Sequence, residues 1–210
     1  MNKKLEYLQY GCGWSAPESW INFDSSPTLY FERLPLIGKA YTKNKDRFPK
    51  NVLYGDIVKG LPVRREYYKG VYASHVLEHL TLHDFKIAVH NTYRILRPGG
   101  IFRLVVPDMH FIADKYIKSN SNQAVHTLMR EASLGCEHKT KGLINKLISL
   151  FGNSAHLWMW DFKSIQFELH NVGFVNIRKC DFGDCDDTMF KFVEDESRFI
   201  NALAVEAIRN

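Results

Sequence analysis

Short apolar runs alternate with longer amphipathic segments along most of this chain. Five early runs and two late ones, each ended by glycine, proline or polar residues, have the length and composition of β-strands. They lie at 5–10, 20–23, 52–54, 70–73, 101–106, 174–182 and 201–208. The pattern therefore predicts a sheet of several short strands.

The clearest helical periodicity separates the fourth and fifth runs. Apolar residues recur every three or four positions over 82–96 and form one apolar stripe. The segment Pro98-Gly99-Gly100 is expected to end this helix. A strand, a helix and a strand in this order predict a right-handed βαβ unit with parallel strands.

Further helical patterns follow the fifth strand. They cover 111–118, 123–134, 143–151 and 162–171. We interpret about 108–160 as a helical cap inserted after that strand. The predicted fold class is α/β: a Rossmann-like open, mostly parallel sheet with helices on both faces, within a single domain over 1–210.

Composition excludes several classes of protein. With 45% hydrophobic and 24% charged residues, the chain has enough apolar surface to fold and is not expected to be disordered. No apolar run approaches the roughly 20 residues of a transmembrane helix, and no signal peptide is recognisable. Four cysteines without a Cys-x-x-Cys pair predict no metal site and favour the reducing cytoplasm.

The charge balance is mildly basic, since 28 Lys and Arg against 23 Asp and Glu give +5. Basic residues concentrate in 39–50. We interpret this segment as a solvated loop, so a nucleic-acid partner is not expected. A patch for RNA or another anionic substrate is the alternative.

Glycine and polar residues follow four of the early strands. They are Gly11-Cys12-Gly13, Asp24, Asp56 and Ser74-His75. Each could be only a turn, but ligands of open parallel sheets bind beyond the carboxyl ends of the strands. Glycines allow close approach of the backbone to a ligand, and the carboxylates can accept hydrogen bonds from a ribose diol and an adenine amino group. The set predicts a nucleoside site.

The sequence resembles the class I S-adenosylmethionine-dependent methyltransferases, and more narrowly small bacterial-type members. The resemblance spans nearly the whole chain. It rests on LQYGCG (8–13), WINFDSSP (20–27), VLYGDIVKGLP (52–62), YASHVLEHL (72–80), NTYRILRPGGIFRLVVPD (91–108) and HLWMWDFKSIQFELHNVGF (156–174). It implies a methyltransferase-like domain with S-adenosylmethionine as cofactor.

The resemblance also implies a set of cofactor-binding residues. They are Tyr10, Gly11, Cys12, Gly13, Asp24, Ser25, Asp56, Ile57, Ser74 and His75. In this assignment the two glycines line the methionine moiety, Asp24 holds the ribose, and Asp56 with Ile57 contacts adenine. Ser74 and His75 lie near the sulfonium.

Two features depart from the usual pattern of this family. Gln9 stands where an acidic residue is usual, and Asp24 follows Gly13 by only 24 − 13 = 11 residues. The first crossover helix is therefore expected to be very short or replaced by a loop over 14–20. We expect Glu78 and His79 to fix the turn after the fourth strand rather than touch substrate.

Three histidines are candidates for a general base toward a hydroxyl acceptor. They are His75, His110 and His156. We favour His156, with His75 second. Asp161 is interpreted as a helix N-cap, with orientation of His156 as the alternative. The aromatic stretch 157–160 could form core or a wall for a carbohydrate.

The leading functional hypothesis is therefore methyl transfer to a small hydroxylated acceptor, such as a sugar or glycan intermediate. A catalytically impaired cofactor- or partner-binding module and an RNA-directed methyltransferase are the alternatives. The sequence leaves the acceptor, the methylated atom and the oligomeric state open.

Overall fold

The computed structural model describes residues 4–35, 47–135 and 155–210. Within these ranges seven strands form one sheet in the order β3-β2-β1-β4-β5-β7-β6. The strands are β1 (Tyr7–Tyr10), β2 (Ile21–Asp24), β3 (Val52–Tyr54), β4 (Tyr68–Ser74), β5 (Leu96–Pro107), β6 (Phe174–Lys179) and β7 (Ala202–Arg209). Strands β1 to β5 pair in parallel, and β7 runs antiparallel between β5 and β6. The predicted mostly parallel α/β sheet is confirmed.

The same ranges contain five α-helices. They are α1 (Pro27–Arg33), α2 (Leu82–Ile95), α3 (Met109–Ile117), α4 (Ala124–Glu131) and α5 (Phe162–Val172). Four of them match helical segments predicted from periodicity. The predicted helix at 143–151 and most of the basic segment 39–50 lie outside the described residues, and the interpretation of 108–160 as a cap stays a prediction.

Helices α2 and α5 cover one face of the sheet. Phe85 of α2 and Leu169 of α5 are fully buried in the main apolar cluster, and the ring of Phe85 lies 4.0 Å from that of Trp160. Asp161 caps α5 through a capping box with Ser164, as its position in the sequence predicts. These two helices stabilise the sheet by packing their apolar sides on this face.

The opposite face carries helix α1 at the β2–β3 side, where Leu29 packs with Val52, and the long connection from β6 to β7 over the centre of the sheet. Phe190 from this connection is fully buried against Trp20 and Tyr72. Arg103 of β5 is 1% exposed and holds the connection to the sheet through ion pairs with Glu194 and Asp184, and it also pairs with Glu206 of β7. A buried guanidinium is tolerated because carboxylates satisfy its donors.

Three local details refine the sequence predictions. The expected loop between β1 and β2 is confirmed, since no helix lies between Tyr10 and Ile21. Helix α1, by contrast, was not expected. Helix α2 ends at Ile95, next to the predicted stop at 98–100, and β5 begins at Leu96 rather than at 101, because Leu96 already pairs with Tyr68.

Candidate functional site

A glycine loop follows β1 at the point where the strand order reverses between β1 and β4. Gly11 and Gly13 both have positive φ, +65° and +54°, a conformation that costs other residues energy. A Cβ on Gly11 would lie 2.1 Å from Val76 Cγ2, whereas a Cβ on Gly13 would have no atom within 4 Å. Gly11 is therefore required by packing and Gly13 by backbone conformation alone.

Asp24 fastens this loop to the end of β2. One carboxylate oxygen, Oδ2, accepts from the Gly13 amide at 2.9 Å, and Oδ1 accepts from the Ser26 amide at 2.7 Å. Gln9 supports the loop from below, since its amide donates to the Ser15 carbonyl and to Asn22 Oδ1. Each Asp24 oxygen keeps a second lone pair for a ligand hydroxyl.

The loop borders a cleft of about 510 Å³ between the ends of β1 and β4 and the β6–β7 connection. Of the predicted cofactor residues, this cleft brings together Tyr10, Gly11, Cys12, Gly13 and Ser74. The hydroxyls of Tyr72 and Ser74, two residues apart on β4, are buried there and face each other, without a hydrogen bond to any other residue. Such groups are normally satisfied, so a polar ligand in the cleft would complete them.

The other predicted cofactor residues are not among those that line the cleft. Asp24 ends β2 and contacts the glycine loop, and Ser25 follows it. Asp56 follows β3, and its Oδ1 accepts from the Val58 amide at 2.9 Å. The side chain of Ile57 is buried in the main core.

A charged cluster lies beyond the end of β4. His75 adopts φ +53° there; its Nε2 donates to the Arg198 carbonyl at 2.9 Å, and its Nδ1 lies 3.2 Å from Glu78 Oε1. Burial opposes protonation of His75, but the neighbouring Glu78 and the Arg198 carbonyl outweigh it, so the pKa of His75 is raised. The Glu78 side chain is 1% exposed.

Two further imidazoles face Glu78. The Nδ1 of His79 hydrogen-bonds the Ala155 carbonyl at 3.1 Å, and the Nδ1 of His156 the Ala132 carbonyl at 2.8 Å. Because a carbonyl only accepts, Nδ1 carries the proton and Nε2 keeps its lone pair in the neutral rings. Burial is the main cause that lowers the pKa of His156.

The three candidate catalytic histidines therefore lie in two different places. His75 and His156 belong to this one cluster around Glu78, whereas His110 lies on the first turn of α3 with its backbone amide bonded to Asp108. Trp160 is 1% exposed and belongs to the core, while Trp158 is 42% exposed. Of the two tryptophans, Trp158 alone offers an exposed ring beside the cluster.

Some residues of the site were not predicted. The cleft is also lined by Trp14, Ser15, Tyr72, Val193, Glu194, Asp195 and Arg198. Tyr72 could have been found from the two-residue period of β4, because it shares a strand face with Ser74. The residues of the β6–β7 connection carry no periodic signal, so only the fold brings them to the cleft.

Comparisons with known proteins agree with this geometry. Residues 8–104 match a protein-family model described as a methyltransferase domain. The comparison with curated proteins gives no match. No helix among the described residues combines the length and apolar character that crossing a membrane requires.

Solved structures share the fold over nearly the whole chain. A SAM-dependent methyltransferase from Thermotoga maritima, described as a possible histamine N-methyltransferase, has 14% identity, covers 98% of this chain and 82% of its own, and gives a TM-score of 0.52. One from Archaeoglobus fulgidus has 16% identity, coverages of 96% and 85%, and a TM-score of 0.50. A chain from the complex of the Haloferax volcanii Trm112 methyltransferase activator with a methyltransferase has 15% identity, coverages of 97% and 81%, and a TM-score of 0.51. At such identities the likeness shows the fold alone.

Proposed function

We propose that this chain is a class I S-adenosylmethionine-dependent methyltransferase, which the match of residues 8–104 to a methyltransferase-domain model supports, and that it methylates a small hydroxylated acceptor such as a sugar or glycan intermediate. In this proposal S-adenosylmethionine is the methyl donor. The observation that carries the proposal is the glycine-loop cleft at the β1–β4 switch point, with two buried hydroxyls that have no hydrogen bond to any other residue.

The residues around the cleft fit this cofactor. The backbone at Gly11 and Gly13 allows a close approach, and Asp24 has lone pairs left for the ribose hydroxyls. The hydroxyls of Tyr72 and Ser74 can bond its polar groups. We assign Asp56 and Ile57 to the adenine, as the resemblance implies. When bound, S-adenosylmethionine supplies an electrophilic methyl group on a sulfonium sulfur.

We assign the acceptor side to the cluster beyond β4. His156 takes the hydroxyl proton through Nε2, which its bond to Ala132 leaves free. His75 has both ring nitrogens facing oxygen atoms, so it positions Glu78 and the end of β4 instead. Holding nucleophile and methyl group in line supplies much of the acceleration.

A sugar-like acceptor suits the surface next to this cluster. Trp158 is exposed in the segment that follows His156, and an exposed aromatic face can pack against a sugar ring. The cysteines of the described ranges, Cys12, Cys180 and Cys185, are all free thiols, which is consistent with our expectation of a cytoplasmic enzyme. We also keep the expectation of a small-molecule rather than nucleic-acid partner.

Calorimetric titration with S-adenosylmethionine, and separately with its demethylated product, tests the cofactor. We expect micromolar binding that weakens at least about tenfold in Asp24→Ala, since hydrogen bonds to a charged group contribute about 1.5–3 kcal/mol. Asp84→Ala, at the exposed start of α2, is the matched control. No binding by the folded wild type would contradict the proposal.

Turnover on a panel of sugars, nucleotide sugars and simple alcohols tests the reaction. Methylation that falls in His156→Ala, while cofactor affinity is retained, supports the assignment of His156. Tight cofactor binding without turnover on any acceptor would indicate a binding module instead.

A further inference from the structure

Glu78 is a buried carboxylate that the protein leaves incompletely satisfied. Its side chain is 1% exposed, and neither oxygen forms a hydrogen bond of good geometry. The nearest groups are His75 Nδ1 at 3.2 Å and His79 Nε2 at 4.0 Å from Oε1. Burying a carboxylate is costly unless charge and hydrogen bonds offset it, so this position favours a further cation.

The orientation of His79 and His156 matches that of metal-binding imidazoles. Both rings donate Nδ1–H to a backbone carbonyl, of Ala155 and Ala132 respectively. Histidines that bind metals normally make this bond with one nitrogen, because it fixes the ring and leaves the other nitrogen to coordinate. The remaining nitrogen of His79, Nε2, lies 4.0 Å from Glu78 Oε1, and a ring nitrogen of His156 lies within 4.8 Å of ligand atoms of Glu78 and His79.

We propose that Glu78, His79 and His156 bind one divalent transition-metal ion, with zinc the best match to the donor set. One potential ligand atom from each residue lies within 4.8 Å of the other two. Small side-chain rotations would bring all three to the roughly 2.0–2.2 Å that zinc requires. Two imidazoles and one carboxylate form a set that zinc uses in catalytic sites, with a further position open.

His75 would act as a second layer of this site. Its Nδ1 faces the Glu78 carboxylate and its Nε2 bonds the Arg198 carbonyl, so it orients the ligand oxygen without coordinating. Carboxylates that bind metals are commonly held in this way. The absence of a Cys-x-x-Cys pair, from which the sequence predicted no metal, does not bear on a site built from histidines and a glutamate.

The consequence for catalysis rests on the proposed function. An ion in this cluster has an open position for a hydroxyl of the acceptor and lowers the pKa of that hydroxyl. His156 would then serve as a ligand rather than as the base, and the acidified hydroxyl would release its proton to solvent water. Metal binding itself needs neither cofactor nor acceptor and is measured separately.

The experiment uses the untagged full chain, freed of metals with a chelator. Cobalt(II) is titrated while its visible d–d absorption is followed, and zinc is then added to displace it. The variants Glu78→Gln, His79→Ala and His156→Ala remove the ligands one at a time. His83→Ala, an exposed histidine on α2, is the matched control. Thermal unfolding without metal verifies that each variant folds.

We expect one cobalt ion per wild-type chain and displacement by zinc. Affinity should fall at least about tenfold in each ligand variant and remain unchanged in His83→Ala. No stoichiometric binding by the folded wild type, or equal binding by the ligand variants, would overturn the proposal. Calorimetry with S-adenosylmethionine on the metal-free chain keeps this failure distinct from failure of the methyltransferase proposal, since none of the three proposed metal ligands lines the cofactor cleft.

Discussion

Single residues of the glycine loop have separable physical roles. Gly11 packs against Val76 and has φ +65°, whereas Gly13 faces open space at φ +54°. The sequence predicted both as loop glycines that line the cofactor. It could not distinguish them, because Val76 reaches Gly11 only when β1 and β4 pair.

Alanine substitutions should reveal this difference. Gly11→Ala adds overpacking to backbone strain and should lower the free energy of unfolding by roughly 2–5 kcal/mol. Gly13→Ala adds strain alone and should cost about 1–2 kcal/mol. Urea denaturation of both variants measures the difference. Equal losses would show that contact with Val76 does not determine the choice of glycine at position 11.

The cluster around Glu78 illustrates what residue-level prediction misses. His156 was favoured as the acceptor-side residue, and His79 and Glu78 were interpreted as parts of a turn. Their Nδ1 and carboxylate contacts depend on residues more than 70 positions apart. No spacing rule detects such a cluster, so it emerges only from the fold.

At the scale of elements, most strands and helices follow from periodicity because each buries one face. Periodicity does not predict the exact ends of these elements or the short helix α1. Ser26 caps α1 and Pro27 occupies its first turn, which is a recognisable start signal. Seven residues are too few for a clear apolar stripe, so periodicity did not predict this helix.

The β6–β7 connection is fastened to the sheet by charges, and its stability should depend on pH. Burial opposes ionisation of Asp184, but hydrogen bonds from Arg178, from the Asp181 amide and from Arg103 outweigh it and lower its pKa to about 2 from 3.8. The stabilisation is therefore present above pH 3.8 and is lost as pH falls through about 2.

The thermal midpoint of the wild type, followed from pH 5 to pH 2, should fall more steeply than that of Asp184→Asn, which lacks this carboxylate. Asp186→Asn, an exposed neighbour, serves as control and should follow the wild type. Parallel curves for wild type and Asp184→Asn would show that the carboxylate contributes nothing to acid stability.

At the scale of the whole molecule, the candidate site lies where three separately encoded parts meet. The glycine loop follows β1, the hydroxyls of Tyr72 and Ser74 come from β4, and Val193 to Arg198 arrive from the β6–β7 connection. The glycine loop and Ser74 carry sequence signals and were predicted, whereas Tyr72 was not. The residues from the β6–β7 connection could not be predicted, because that segment has no periodicity and reaches the cleft only through the contacts of Arg103 and Phe190.

This convergence predicts how cofactor binding should propagate. A ligand at 100 times its dissociation constant adds about 2.7 kcal/mol to the free energy of unfolding. Every segment that lines the cleft should be protected against opening. Amide hydrogen exchange with saturating S-adenosylhomocysteine should therefore slow in 11–15 and also in 193–198, far along the chain. Helix α5 packs on the opposite face of the sheet, so its amides report only the global change. If protection beyond that of α5 were confined to 11–15, the connection would be a passive cover of the sheet and not a wall of the cofactor site.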